Sequence, residues 1–292
     1  MKRFISWFFV VVLTVCVVDI LFGLFFNNYI KKNVLPGDYE SVEKVLRNND
    51  AEILVLGSSV ALNSINTKAV EDSTGLITFN AGGNGQTFPF FLTMLKAAIK
   101  QKIPAKVILC VNPNVFASDG LGNRYNLLAP YYGLGISDID KNLSLNRKYD
   151  KYLLNITSYR LNNIWFRILM YHFISPDLRG ENGYIGKPVP PVFPNKLSFQ
   201  IKSLSQERCN ELEEFLRVCS DNKIDLTIVF TPLYNDIIIA NKDQNVLSQV
   251  TALAEKYKVR VFNDIELEPF ASDSTLFYDN THININGTDI YT

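Results

Sequence analysis

The sequence lacks any charge bias, and it is nearly without histidine. Its 29 Lys and Arg are balanced by 29 Asp and Glu. That balance leaves no electrostatic footprint for nucleic acid, and no basic tract is present to grip one. The four cysteines, Cys16, Cys110, Cys209 and Cys219, are scattered. Cys209 and Cys219 fall on one predicted helix, where roughly 15 Å of rise separates them. No disulfide framework, metal-ligand spacing or cofactor follows from them. There is also no internal repeat. Histidine occurs only at 172 and 282. His172, between Tyr171 and Phe173 near the end of a predicted helix, reads as structural or dipole-capping. His282 follows Asp279 by three residues. A neutral imidazole is the usual base for a serine hydroxyl and needs a partner that fixes its tautomer. A satisfied loop histidine is the competing reading.

What the chain has in quantity is apolar sequence at its start. Phe4 to Phe26 is interrupted only by Ser6, Thr14, Asp19 and Gly23, which matches the ~20 residues needed to cross hydrocarbon. The run is too long for a cleaved signal peptide, and no small-x-small site follows it. Leu13-Thr14-Val15-Cys16 loosely matches a lipoprotein box, but valine precedes the cysteine and the apolar run continues past it. Lys2 and Arg3 face Lys31 and Lys32 across the span, so flanking charge hardly orients it. Asp19 reads as reaching toward the interface, with a functional intramembrane carboxylate as the alternative. The expected organisation is an anchor at 1–32, a connector and docking helix at 33–51, and a domain at 52–292 with an insertion at about 117–203.

From Glu52 onward short apolar runs alternate with helical spacing. Strands are expected at Ile53–Leu56, Leu76–Phe79, Lys106–Val111, Leu226–Phe230 and Val259–Phe262. Helices are expected at Tyr39–Arg47, Thr67–Asp72, Thr87–Lys100, Ser205–Ser220 and Asp243–Tyr257. In Thr87–Lys100 one face carries Phe88, Phe91, Leu92, Leu95 and Ile99. Alternation of this kind implies an α/β fold: a flavodoxin-like parallel sheet of about five strands with helices on both faces. The insertion shows one helix, Tyr159–Phe173, and a Pro-rich stretch, Lys187–Pro191, read as extended loop. Asn142, Asn155 and Asn286 head N-x-S/T triplets, which matter only in a glycosylating pathway.

Open α/β sheets bind ligands outside the carboxyl ends of their strands. Gly57-Ser58-Ser59 follows the first strand, Asn80 to Gln86 the second and Asn112-Pro113-Asn114 the third. Thr231 to Tyr234 follows the fourth, and Asp279 with His282 lie beyond the fifth. Each has a plainer reading as well. Gly-Ser-Ser is an ordinary helix cap, the glycine turn suits a phosphate cradle, and Asn114 suits a turn.

Taken in order, Gly57-Ser58-Ser59, the Asn80-x-Gly82-x-x-Gly85 turn and Asp279-x-x-His282-Ile283-Asn284 resemble the SGNH/GDSL hydrolase superfamily. The resemblance runs from Glu52 to the C-terminus apart from the insertion, and the anchor is similar to that of membrane-attached, envelope-associated members. It implies Ser59 as nucleophile, His282 as base and Asp279 as its orienting carboxylate. It also implies an oxyanion hole made by the backbone amides of Ser59 and Gly82 and the side chain of Asn114. Three features depart from the pattern. Ser58 replaces the usual acidic residue and competes for the nucleophile role. Asn112 stands beside Asn114 with no acidic partner. Ten residues follow His282, which leaves little room for a closing helix.

The implied activity is an esterase or acyltransferase on O-acyl groups, acetyl foremost, of envelope polysaccharide, with envelope-biosynthesis proteins as partners. The domain is expected outside the cytoplasm, with the insertion shaping the acceptor site. Tyr125, Tyr131, Tyr132, Trp165 and Tyr184 are the aromatics there, for sugar stacking or for packing. Two other readings remain. One is an inactive polymer-binding protein on the same fold, and the other is a phosphate- or nucleotide-binding domain.

Overall fold

A computed structural model of the chain describes residues 1–32, 38–116, 127–145, 151–162, 164–166, 170, 182–193, 204–240 and 245–292. Tyr125, His172 and the connector at 33–37 lie outside the described residues. The described residues form two compact units. One comprises those between 1 and 35 and between 125 and 177; the other comprises those between 36 and 124 and from 178 onward.

In the first unit, helix α1 (Lys2–Lys32) is long and apolar enough to cross a membrane. Most of its first 18 residues are exposed on every side. From Asp19 one stripe is covered, with Gly23 and Phe26 buried at helical spacing. The insertion contributes Ser137–Leu145 and the short helix Thr157–Arg160 to this unit. The Asp19 carboxylate accepts the backbone N–H groups of Thr157 and Ser158, each at 2.8 Å. Two of the four orphan donors at the start of that helix are thereby satisfied. The helix expected at Tyr159–Phe173 is broken instead, since the chain turns at Leu161 and Asn162. Asp19 holds the Thr157 end and starts the helix two residues early.

The second unit is built on a parallel sheet. Its elements in chain order are α2 (Asp38–Arg47), β1 (Ile53–Gly57), α3 (Ser59–Ser64), α4 (Thr67–Thr74), β2 (Thr78–Asn80), α5 (Phe88–Gln101) and β3 (Lys106–Val111). With the insertion helices numbered α6 and α7, there follow α8 (Gln206–Asp221), β4 (Asp225–Phe230), α9 (Asn235–Ala240), α10 (Val246–Lys256) and β5 (Arg260–Asn263). The hairpin β6 (Phe277–Asp279) and β7 (His282–Ile283) and helix α11 (Ile285–Tyr291) complete the unit. Strand order is β2-β1-β3-β4-β5, all pairs parallel. This is the flavodoxin-like order, whose ligand crevice opens where β1 meets β3.

Both faces of the sheet are covered, so β1 is apolar and buried at all five positions. On one face Val55 and Cys110 pack with Ala61 and Ile65 of the α3 region, and Tyr291 of α11 joins them. On the other, Phe88 of α5 meets Phe116 at 5.2 Å and Phe215 of α8 at 6.4 Å; Phe116 stacks on Phe230 at 5.9 Å.

Three expectations need correction here. β2 is Thr78–Asn80 rather than Leu76–Phe79, and Leu76 and Ile77 are exposed because the edge begins only where the strand meets β1. In α5 the buried set is Phe88, Phe90, Phe91, Thr93, Met94, Leu95, Ala97 and Ala98, while Leu92 and Ile99 are half-buried. The helix is covered on two sides, by the sheet and by α2 and α8. A closing helix does form: α11 needs only seven residues because Asn284 caps it, accepting from the Gly287 amide at 3.1 Å.

Candidate active site

The site is assembled at the carboxyl edge of the sheet, within the second unit. β1 ends at Gly57, whose φ is +146°. A Cβ there would meet the Cys110 carbonyl oxygen of β3 at 1.9 Å, so glycine alone allows the close strand approach that precedes the turn. Ser58 then adopts an extended conformation and caps the start of α3 through its carbonyl, which accepts the amides of Ala61 and Leu62. Its side chain is buried and makes no hydrogen bond. Ser59 is the first residue of α3, so its amide has no intrahelical acceptor.

Of the two neighbouring serines, the structure brings Ser59 to the histidine. Ser59 Oγ lies 2.7 Å from His282 Nε2. The other ring nitrogen, Nδ1, lies 2.8 and 2.9 Å from the two carboxylate oxygens of Asp279. A carboxylate only accepts, so the network assigns the proton to Nδ1 and leaves Nε2 free to accept from the serine.

The local sequence explains why Asp279 and His282 meet. They are register partners across the β6–β7 hairpin, and Asn280-Thr281 form its two-residue connection. Asp279 Oδ1 accepts the amides of Thr281 and His282, both at 2.9 Å, and the Thr281 hydroxyl at 3.0 Å. Burial alone would raise the Asp279 carboxyl. The hydrogen bond and charge of His282, with the Thr281 donors, outweigh that and hold it at about 2.

Asn80 fixes the other side. It is wholly buried, and its amide nitrogen donates to the carbonyls of Ala61 (2.7 Å) and Ile65 (3.2 Å), tying β2 to α3. Its Oδ1 accepts the Gly82 amide at 3.0 Å. The Gly82 N–H, expected to face an oxyanion, is thus directed to Asn80 and braces the turn. Asn114 is half-buried in the short turn Pro113–Phe116 after β3.

Two of the residues noted at strand ends, Asn112 and Thr231, belong with Asn280 to a group of buried polar side chains. Asn112 Oδ1, Thr231 Oγ1 and Asn280 Oδ1 are buried without a hydrogen-bond partner. Val111 pairs with Phe230, so Asn112 and Thr231, the next residue of each chain, leave the sheet side by side at its carboxyl edge. Unsatisfied buried polar atoms are rare in folded proteins and call for a reason. The signal available in the sequence was positional, since Asn112 and Thr231 each directly follow an apolar strand.

Among the aromatics expected near an acceptor, Tyr131 and Tyr184 are buried and pack, while Tyr132 lies against the Arg160 guanidinium at 6.0 Å. Among the described residues, no group of three or more His, Cys, Asp and Glu side chains is placed to hold a metal.

The doubly wound sheet thus carries a serine just after β1 and, later in the chain, a carboxylate followed by a histidine in the hairpin before α11. No family model matches the sequence, and no curated protein matches it significantly. Solved structures do. A GDSL-like lipase from Bacteroides thetaiotaomicron is similar at 12% identity and a TM-score of 0.42, over 87% of this chain and 92% of that one. An esterase from a Pseudoalteromonas species is similar at 14% identity and a TM-score of 0.40, over 82% and 91%. The lipase/acylhydrolase from Enterococcus faecalis is similar at 10% identity and a TM-score of 0.38, over 82% and 90%.

Proposed function

We propose that the chain is a serine-dependent ester hydrolase or acyltransferase whose triad is Ser59, His282 and Asp279. The observation that carries this is the continuous hydrogen-bonded path from Ser59 Oγ through the imidazole to the Asp279 carboxylate. Ser59 Oγ attacks an ester carbonyl while its proton passes to His282 Nε2, and Asp279 stabilises the imidazolium. Collapse of the tetrahedral intermediate breaks the bond to the leaving alcohol, which takes the proton from His282. The acyl-Ser59 ester is then resolved by water, giving an esterase, or by a sugar hydroxyl, giving a transferase. The Ser59 amide and the Asn114 side chain are the proposed oxyanion donors, with Asn112 as the neighbouring amide.

The proposed substrate class is O-acylated saccharide of the cell envelope, acetyl esters foremost. The apolar α1 and the resemblance to envelope-associated hydrolases support that reading. On it, α1 is a single-span anchor and the sheet unit faces away from the cytoplasm.

An inactive polymer-binding protein on the same fold is the second reading. The engagement of the Gly82 amide by Asn80 favours it. A fluorophosphonate probe distinguishes the two. Covalent capture that is lost in Ser59→Ala supports the hydrolase, whereas folded protein that stays unlabelled favours the binder.

A further inference from the structure

The first unit carries an apolar surface that the proposed chemistry does not use. Tyr152, Leu153, Ile156, Trp165 and Phe166 are all exposed, Tyr152 at 74% and Phe166 at 55%. Tyr152 and the Trp165–Phe166 pair are of the type that lines membrane interfaces, where an apolar ring meets water at one edge.

The position of these residues along the anchor is fixed by Asp19. Residues 2–18 of α1 are almost entirely uncovered by protein. At 1.5 Å per residue they span roughly 25 Å, close to the thickness of a bilayer's hydrocarbon. Protein contact starts at Asp19, and what Asp19 grips is the amino end of α7. Gly23, one turn on, lies against the Thr157 side chain, and a Cβ there would meet it at 2.9 Å. Ile156 immediately precedes the gripped amides, and Leu153 lies within one turn of them. Trp165 follows through the bonds of Leu161 to Thr157 and of Trp165 to Leu161. Trp165 is thus two turn-forming hydrogen bonds away from the gripped amides. A carboxylate at the end of a bare apolar span is costly unless it is bonded. Here two amides bond it, so the insertion is attached to the last third of the apolar run, beside the exposed Leu21, Leu24 and Phe25.

We propose that Tyr152, Leu153, Ile156, Trp165 and Phe166 form a foot that lies in the lipid interface beside α1. Its occupant is the acyl and glycerol region of the leaflet that α1 leaves. The proposal rests on the reading of α1 as a membrane span and deepens it. The first unit is then held at the membrane by two elements, α1 and the foot beside it.

The two tryptophans, Trp7 in the anchor and Trp165 in the foot, allow a test in the full chain. Trp7→Phe leaves Trp165 as the sole indole emitter, and Trp165→Phe leaves Trp7. Each variant is reconstituted into phosphatidylcholine vesicles with or without lipid brominated at carbons 6 and 7, then titrated with aqueous iodide. Trp165 emission is expected to fall about twofold on brominated lipid and to respond weakly to iodide, as an interfacial aromatic does. Trp7 is expected to be quenched by lipid as well. Trp165 quenched by iodide and not by lipid overturns the foot while leaving the anchor in place. Trp165 shielded from both quenchers also overturns it, in favour of a protein partner. Trp7 unresponsive to brominated lipid overturns the anchor itself. In the Trp7→Phe background, Asp19→Ala should move Trp165 toward iodide while Asp19→Asn holds it. An unchanged Trp165 in Asp19→Ala removes Asp19 from the role of setting the level.

Discussion

Asp279 bonds His282 twice over, through the imidazole Nδ1 at 2.8 Å and through the backbone amide at 2.9 Å. The same carboxylate oxygen thus orients the ring and shapes the hairpin that presents it. This double use ties local folding to the proposed chemistry, and the expected effects of substitution follow from it.

Ser59→Ala and His282→Ala should each lower kcat on an aryl acetate by about three orders of magnitude or more, and the double variant should lose little further. Ser58→Ala should keep most activity, because its hydroxyl is buried and does not meet the imidazole. Steady-state kinetics of the four proteins check this. Additive losses, or an inert Ser59→Ala, would contradict a shared mechanism.

Asn114→Ala should cost roughly 10²-fold in kcat if its side chain stabilises the oxyanion. Asn112→Ala provides the comparison, since Asn112 directly follows β3 and its Oδ1 is buried without a hydrogen-bond partner. A loss confined to Asn112→Ala moves the oxyanion role there.

The pH dependence follows from Asp279, whose carboxyl is held at about 2 against an ordinary 3.8. A depressed carboxyl contributes stability that is complete above its unfolded value and is lost as pH falls through the folded value. Asp279→Asn should therefore melt lower than the parent at pH 7, and the difference should hold down to about pH 4 and vanish toward pH 2. Calorimetry from pH 2 to 8 reads this directly. The same variant should lose about 10⁴-fold in kcat, because an amide no longer selects the required imidazole tautomer.

Gly57 and Gly75 both have positive φ, yet their surroundings differ. A Cβ at Gly57 meets the Cys110 carbonyl at 1.9 Å, whereas at Gly75 nothing lies within 4 Å. Gly57→Ala should cost on the order of 3 kcal/mol or more, lowering Tm by about 6–12 °C. Gly75→Ala, at a helix C-cap, should cost only about 1 kcal/mol. Equal losses would show that backbone strain, rather than the strand contact, dominates at Gly57.

A phosphatase fused after Thr292 should be active, and a fluorescent protein that matures only in the cytoplasm should stay dark at the same site. The reverse pattern would place the sheet unit inside and remove envelope polymers as substrate.

The positions of β1, β3 and β4 were legible because each is a short, mostly apolar and mostly buried run between helical segments. β2 was misplaced by two residues, since Leu76 and Ile77 are apolar yet exposed, and hydropathy does not show where a ladder begins. Ser59, Asp279 and His282 were expected from the family resemblance together with their strand-end positions, and they lie within hydrogen-bond distance of one another in series. The engagement of Gly82 could not be read, because it depends on which way the Asn80 amide points. Asp19 was read as an interfacial carboxylate; its bond to amides 138 and 139 residues away has no local sequence mark.

Ser59 and His282 are 223 positions apart, and the hairpin bearing the histidine is anchored by the very last helix: Thr288 donates to the Asn63 carbonyl at the end of α3, and Thr292 to that of Ser64. The histidine hairpin therefore leaves its place only if α11 also parts from α3. On the proposed reading, loosening those two bonds would separate base from nucleophile without altering either side chain. The segment after the histidine would then govern reactivity as firmly as the histidine itself.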